Sequence, residues 1–326
     1  MPGVIKLATE LRAARNTVEA ALRELERQGI LVLQGHGKGR LIDLKAAGKS
    51  GRTRFAILLG TPHDRGTDYM IRLCHQLEEA GHTAIFVSES LAALGMDPKR
   101  IESVVKTIGA DGWILVAPAL EVSEWFVTMG TPAFALFGRR RGLALASCGP
   151  DKVSPYMAAA WALMNLGHQR IILMARARRR LPKPGATEQA FLNALSAGGI
   201  APSLYNLPEW EETAEGFNAR LEELFRVTPP TALILDGAPF FYATLRFCAL
   251  RGLRVPGDVS LVCTDGDPGF GWCYPPVSHI RWDSKPLVQR IVKWANNVSD
   301  GKRDVKQTLT PAEFLPGGTI GHVIGR

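Results

Sequence analysis

Cysteine is scarce and shows no pairing pattern. The five in 326 residues (Cys74, Cys148, Cys248, Cys263 and Cys273) are odd in number, form no CxxC, and mostly sit within apolar sequence. That argues against a disulfide framework and against a thiolate metal site, and favours buried free thiols. No apolar run approaches the roughly 18 residues that a membrane span needs, so no membrane partner is expected. Residues 1–20 lack the apolar core of an export signal and carry Lys6, Glu10, Arg12, Arg15 and Glu19 instead, which points to a cytoplasmic protein. Catalytic signatures are missing too. There is no GxSxG, no P-loop, no GxGxxG after a first strand and no HExxH, and the seven histidines are dispersed. These absences argue against an enzyme, and no cofactor or metal is expected.

Charge is unevenly placed. The net charge is +8, yet residues 1–54 hold eleven Lys and Arg against five Asp and Glu, leaving the long remainder almost neutral. A small basic segment on a neutral body is the asymmetry expected when one end touches phosphate, with a solvated basic tail as the bland alternative. Periodicity favours the first reading. Val18, Ala21, Leu22 and Leu25 recur at i, i+3, i+4, i+7, with Arg15, Asn16, Glu19 and Arg23 on the opposite face. Asn16 and Glu19 fit a capping box, so the helix is expected to start near Asn16, with Gly29 as its stop. "ILVLQ" and "RLIDL" then flank Gly35-His36-Gly37-Lys38-Gly39 as a glycine-rich hairpin, whose tip can lie close to a phosphate backbone.

Residues 43–54 are polar and basic and read as a linker. From Phe55 the pattern becomes short apolar strands alternating with amphipathic helices. "FAILLG", "TAIFVS", "GWILVA" and "PAFALFG" make one series. A second, after Gly149, runs through "RIILMA", "TALILD" and "VSLVCTD", with "PPVSHIRW", the helix 285–299 and an irregular tail coming last. Continuous apolar strands spaced by helices predict parallel sheets covered on both faces. Two such series in about 270 residues predict an α/β body of two Rossmann-like lobes, about 55–150 with 277–310 and about 151–276 with 311–326. Ligands of such sheets bind beyond the carboxyl ends of the strands and between lobes.

These residues carry a family likeness. Residues 2–42 resemble the winged helix-turn-helix of GntR-type bacterial regulators. Residues 55–320 resemble the effector domain of LacI/GalR-type repressors, which is similar to periplasmic sugar-binding proteins. The stretches that carry it are "LMNLGHQRIILM" (163–174), "PPTALILDG" (229–237), "GLRVPGDVSLVCTDGDP" (252–268) and "PPVSHIRWD" (275–283). Together the parts resemble an arabinose-repressor type of chimera. The resemblance implies a homodimer that binds a duplex DNA operator and responds to a small-molecule effector, commonly a sugar. Departures accompany it. The helix that usually precedes the position of Pro2 is missing, which predicts an upstream start and leaves Leu7, Leu11, Val18 and Leu22 partly uncovered. Gly3-Val4-Ile5 and Ala14 replace a usual "SER" and a capping serine. Thr187 and Ala238 stand where an arginine and an aspartate are usual.

Candidate site residues follow. Arg15, Asn16 and Thr17 match the start of a recognition helix, where Arg can pair with guanine and Asn with adenine. His36, Lys38 and Arg40 lie in or beside the hairpin tip, within reach of phosphate or the minor groove. In the body, Asp265 matches a position that often bonds sugar hydroxyls, or else caps the following turn. Trp272, between Phe270 and Tyr274 in a glycine-rich loop, is a candidate to stack on a sugar face. Arg139 and Arg140 (with Arg141), and Arg176 and Arg180 (with Arg178, Arg179 and Lys183), follow strand ends. They suggest an anionic sugar-derived effector, or two solvated loops. Two other readings stay open: an effector-binding protein that has lost DNA binding, and a sugar-binding protein of the transport type.

Overall fold

The computed structural model describes residues 4–11, 13–27, 31–33, 40–42, 53–138 and 142–323. The chain divides into two compact units, Met1–Arg54 with Gly81–Thr83, and Phe55–Ala80 with Ala84–Arg326.

In the first unit, helices Val4–Glu10 and Arg15–Arg27 precede the antiparallel strands β1 (Leu31–Leu33) and β2 (Arg40–Ile42). Val18, Leu22 and Leu31 are buried, with Val4, Leu7, Ala8, Ala13 and Leu25 packed against them. The expectation of an uncovered face is thus corrected in part. The first helix and β1 close over Val18 and Leu22, and Leu11 is left 65% exposed. The longer helix begins at Arg15, so Asn16 is helical rather than a cap. Glu19 pairs instead with Arg15 (3.0 Å) and Arg23 (3.9 Å), an i, i+4 arrangement on an exposed face.

The second unit carries two sheets. The first contains β3 (Arg54–Leu58), β4 (Thr83–Phe86), β5 (Gly112–Val116), β6 (Ala133–Leu136), β7 (Ala146–Pro150) and β12 (Gln307–Thr310), in the order β12-β7-β6-β5-β3-β4. The second contains β8 (Ile171–Met174), β9 (Ala232–Leu235), β10 (Ser260–Cys263), β11 (His279–Trp282) and β13 (Ala312–Leu315), in the order β13-β11-β10-β9-β8. The pairings β3–β5–β6–β7–β12 and β8–β9–β10–β11 are parallel, while β13 joins β11 antiparallel. The central strands are fully buried, as their unbroken apolar runs require, and an apolar cluster covers each face of each sheet.

Helix limits follow local chemistry. Helix Pro98–Ile108 starts where the Asp97 side chain accepts from the Lys99 amide at 2.9 Å with Pro98 in the first turn, and stops at Gly109, whose φ of 57° is left-handed. The chain crosses between lobes three times: after β7, after β11 and between β12 and β13. Helix Val153–Asn165 therefore packs on the second sheet, and Leu287, Val288, Ile291 and Trp294 of helix Lys285–Ser299 pack on the first. The lobe boundary expected at 277 is displaced. β11 belongs to the second sheet, because four residue pairs with β13 and one with β10 hold it there, and the return crossing comes after Trp282.

Candidate functional site

The carboxyl ends of β8, β9 and β10 deliver Arg176, Asp236 and Asp265 to one edge of the second sheet. The crossing after β7 adds Lys152 at the start of helix Val153–Asn165. Two ion-pair groups form there.

Lys152 Nζ donates to Asp265 Oδ1, and Trp282 Nε1 donates to the same oxygen at 3.0 Å. Lys152 is 8% exposed. A cation at a helix N-terminus opposes the helix dipole, so this lysine is placed there by Asp265 and not by the helix. Trp282 packs in turn on first-lobe aromatics, edge to face with Phe137 at 5.6 Å and tilted against Tyr69 at 6.1 Å. Phe137 has a φ of 62° and Ala117 one of 49°, each just past a first-sheet strand, β6 and β5. Left-handed backbone at a bulky residue is costly and is held only where packing over-determines it.

The second group centres on Arg179. Its Nε lies 3.2 Å from Glu188 Oε1 and 3.3 Å from Asp236 Oδ1, and its NH2 donates to the Tyr156 hydroxyl at 3.1 Å. Glu188 is 1% exposed and Asp236 5%, so both carboxylates depend on this guanidinium for their charge. Gly185 makes room for Glu188: a Cβ there would meet Glu188 Oε2 at 2.6 Å. Burial alone would raise the Asp236 carboxyl. Arg179, Arg176, Arg178 and Lys152 together overcome it and hold the value down to about 2. The folded value lies below the unfolded one. The ion pair therefore stabilises fully above the ordinary aspartate range, by about 2 kcal/mol, and that contribution fades as pH falls toward 2. Acid titration of stability should be flatter between pH values of about 4 and 2 in Asp236→Asn than in the parent; parallel curves would reject this assignment.

The sequence candidates fare differently. Asp265 stands at the strand ends as expected, already engaged by Lys152 and Trp282. Arg176 stands two strands away, beside Asp236, whose Oδ2 accepts from its amide at 3.4 Å, with its guanidinium 4.9 Å over the Phe240 ring. Arg180 is buried and uses its guanidinium on the Ala175 carbonyl (3.0 Å) and Glu209 (3.8 Å), a structural position. Trp272 is 93% exposed on the 3-10 turn Pro268–Trp272, while its neighbour Phe270 is buried against Phe241 and Tyr242. Arg139 and Arg140 lie outside the described residues. So do His36, Lys38 and the side chain of Arg40, although the backbone of Arg40 opens β2. Arg15, Asn16 and Thr17 are exposed on the first turn of their helix.

Lys152, Tyr156, Glu188, Asp236 and Trp282 were not expected at the site. Asp236 ends "TALILD" as Asp265 ends "VSLVCTD", so the strand-end signal that marked one marks the other.

Residues 160–320 match the family model of the periplasmic binding protein-like domain. The lactose operon repressor of Escherichia coli (strain K12) is 28% identical over 160 residues, which are 47% of this chain and 42% of the repressor. The match thus spans about two fifths of that relative's length. Among solved structures, a LacI-family regulator from Enterococcus faecium with bound ribose superposes at a TM-score of 0.66 and 17% identity, covering 83% of this chain and all of that one. The regulator CelR in complex with cellobiose superposes at 0.68 and 16% identity, covering 98% of this chain and all of its own. The two-lobed body thus has the periplasmic binding protein-like fold found in LacI-family regulators, and the two ion-pair groups lie at the carboxyl ends of its second-sheet strands. Among the described residues no helix is long and apolar enough to cross a membrane.

Proposed function

We propose that the chain is a sequence-specific DNA-binding transcriptional regulator, a repressor by its likeness, whose interlobe cleft holds a small carbohydrate-type effector. The observation that carries this reading is the combination in one chain. A basic two-helix unit with an antiparallel strand pair precedes a periplasmic binding protein-like body whose strand ends converge on buried carboxylates and guanidinium groups. The head acts as a winged helix of the GntR type, with Arg15, Asn16 and Thr17 in the major groove and His36, Lys38 and Arg40 on or near the backbone. The chain works as a cytoplasmic homodimer on a two-fold operator. The effector closes the lobes because it binds one lobe arrangement better than the other, and the difference in binding free energy sets the change in operator affinity.

Fluorescence anisotropy of labelled DNA from upstream of the gene, over a salt series, tests the reading. Tight binding should weaken steeply with salt, with log K falling by about 0.9 per phosphate contacted for each unit of log salt. Arg15→Ala should cost about tenfold or more against the specific site, and Lys38→Ala should reduce the salt slope by about one contact. Binding no better than to random DNA would overturn the reading in favour of an effector-binding protein without DNA affinity.

A further inference from the structure

The cations of the cleft do not balance its carboxylates pair by pair. Lys152 is committed to Asp265, and Arg179 to Asp236 and Glu188. Arg176 and Arg178 remain, and among the described residues neither guanidinium has a carboxylate within ion-pair distance. Asp236 is near both, but Arg179 already occupies it. Glu212, also near Arg178, accepts from the Ala177 amide. Arg178 lines a pocket of about 440 Å³ between the lobes, facing Met96, Ala119 and Leu120 of the first lobe and flanked by Leu181 and Pro182 of the second. The one acid on that rim, Glu121, is exposed. Burial and then the neighbouring Arg176 work against the charge of Arg178 and lower its pKa, and Asp236 and Glu212, each engaged elsewhere, offset them only in part.

We propose that the ligand of this cleft carries an anionic group, a carboxylate or a phosphoryl group, beside its hydroxyls, and that Arg176 and Arg178 receive that group. The proposal rests on the reading of the cleft as the effector site. A guanidinium presents forked donors that match either oxyanion bidentately. Closing the lobes on a neutral polyol would desolvate two like charges with no carboxylate paired to either, whereas an anion turns that cost into attraction in a medium of lower dielectric. Asp265 Oδ2, which among the described residues carries only a long contact from Thr264 Oγ1 at 3.4 Å, is the acceptor left for a hydroxyl of the same ligand. Lys152, by occupying Oδ1, weakens what a neutral sugar gains there. Together the two features select for sugar acids or sugar phosphates over neutral sugars.

The test is melting temperature and calorimetric titration of the full chain, without DNA, at constant ionic strength. The probes are glucose, gluconate, glucuronate, glucose 6-phosphate and inorganic phosphate. A carboxylated or phosphorylated sugar should raise the melting temperature by a few degrees where glucose does not. Gluconate or glucuronate acting alone identifies a carboxylate; glucose 6-phosphate and phosphate acting alone identify a phosphoryl group. Arg178→Gln should weaken that binding by about tenfold or more, and Arg178→Lys by less. Glucose stabilising as well as its acids, no shift with any anion of the set, or unchanged affinity in Arg178→Gln would each overturn the proposal. Anion binding by a chain that ignores DNA would sink the regulator reading and leave this one standing; operator binding with no anion response would do the reverse.

Discussion

Replacing Arg179 by methionine should destabilise the second lobe by about 3–5 kcal/mol at neutral pH, the cost of removing one partner from a buried ion-pair group. Methionine keeps much of the side-chain volume, so the loss is electrostatic. Glu188 and Asp236 would be left with no guanidinium between them, and the Tyr156 hydroxyl would lose its donor. Neither carboxylate is exposed enough for water to take over. The Asp236 carboxyl would respond by a rise from its depressed folded value, because less then opposes its burial. A group shifted that way penalises the fold at high pH and releases the penalty as pH falls, so the deficit against the parent should shrink steadily toward pH 4. Adding Asp236→Asn and Glu188→Gln to the methionine variant should recover most of the loss at pH 7, since amides cost less to bury unpaired than carboxylates. Urea unfolding at pH 7 and pH 4.5 reads both effects. A deficit below about 1 kcal/mol at pH 7 would show that the group is solvated, contrary to its burial.

Which arginines would do this work was not legible in the sequence, for a geometric reason. Residues 177–180 form a single helical turn, and successive residues on a helix point about 100° apart. Arg178 therefore lines the interlobe pocket, Arg179 enters the carboxylate pair, and Arg180 turns to Ala175 and Glu209. A run of like residues carries no mark of that division. Strand-end position was a better guide: it located Asp265 and Arg176, and it would have located Asp236 had the aspartate of the motif not been sought two residues later, at Ala238. Lys152 gave no such sign, because the sequence places it only at the start of a helix and its meaning comes from β10, more than a hundred residues on. The body was legible to within a few residues wherever strands were continuous apolar runs. The tail was not. "QTLT" and "AEFL" are four residues each and separated only by Pro311, too short to show a period, yet one extends each sheet.

Removing the other carboxylate should separate stability from response. Asp265→Ala strands Lys152, which is buried and at a helix N-terminus, and should cost about 3 kcal/mol. Lys152→Met should cost much less, about 1 kcal/mol, because Asp265 is one-third exposed and keeps the Trp282 indole donor. The double variant Lys152→Met, Asp265→Ala should fall near the second value and not near the sum, so the cycle should give a coupling of about 3 kcal/mol. Trp282 provides the functional reading. It crosses from the second sheet onto Tyr69 and Phe137 of the first lobe while its Nε1 is held by Asp265, so the bond lies on the path between lobes. Without Asp265 the ring keeps its aromatic contacts and loses the side-chain bond that fixes it to the end of β10. Operator affinity of the folded Asp265→Ala, Lys152→Met chain should therefore match the parent, while its change at saturating effector falls by about tenfold or more, the loss of about 1.4 kcal/mol or more of coupling. Parent-like effector release by that double variant would show that closure is carried elsewhere; equal losses of stability in the two single variants would show that Lys152 and Asp265 are each held by water and not by each other.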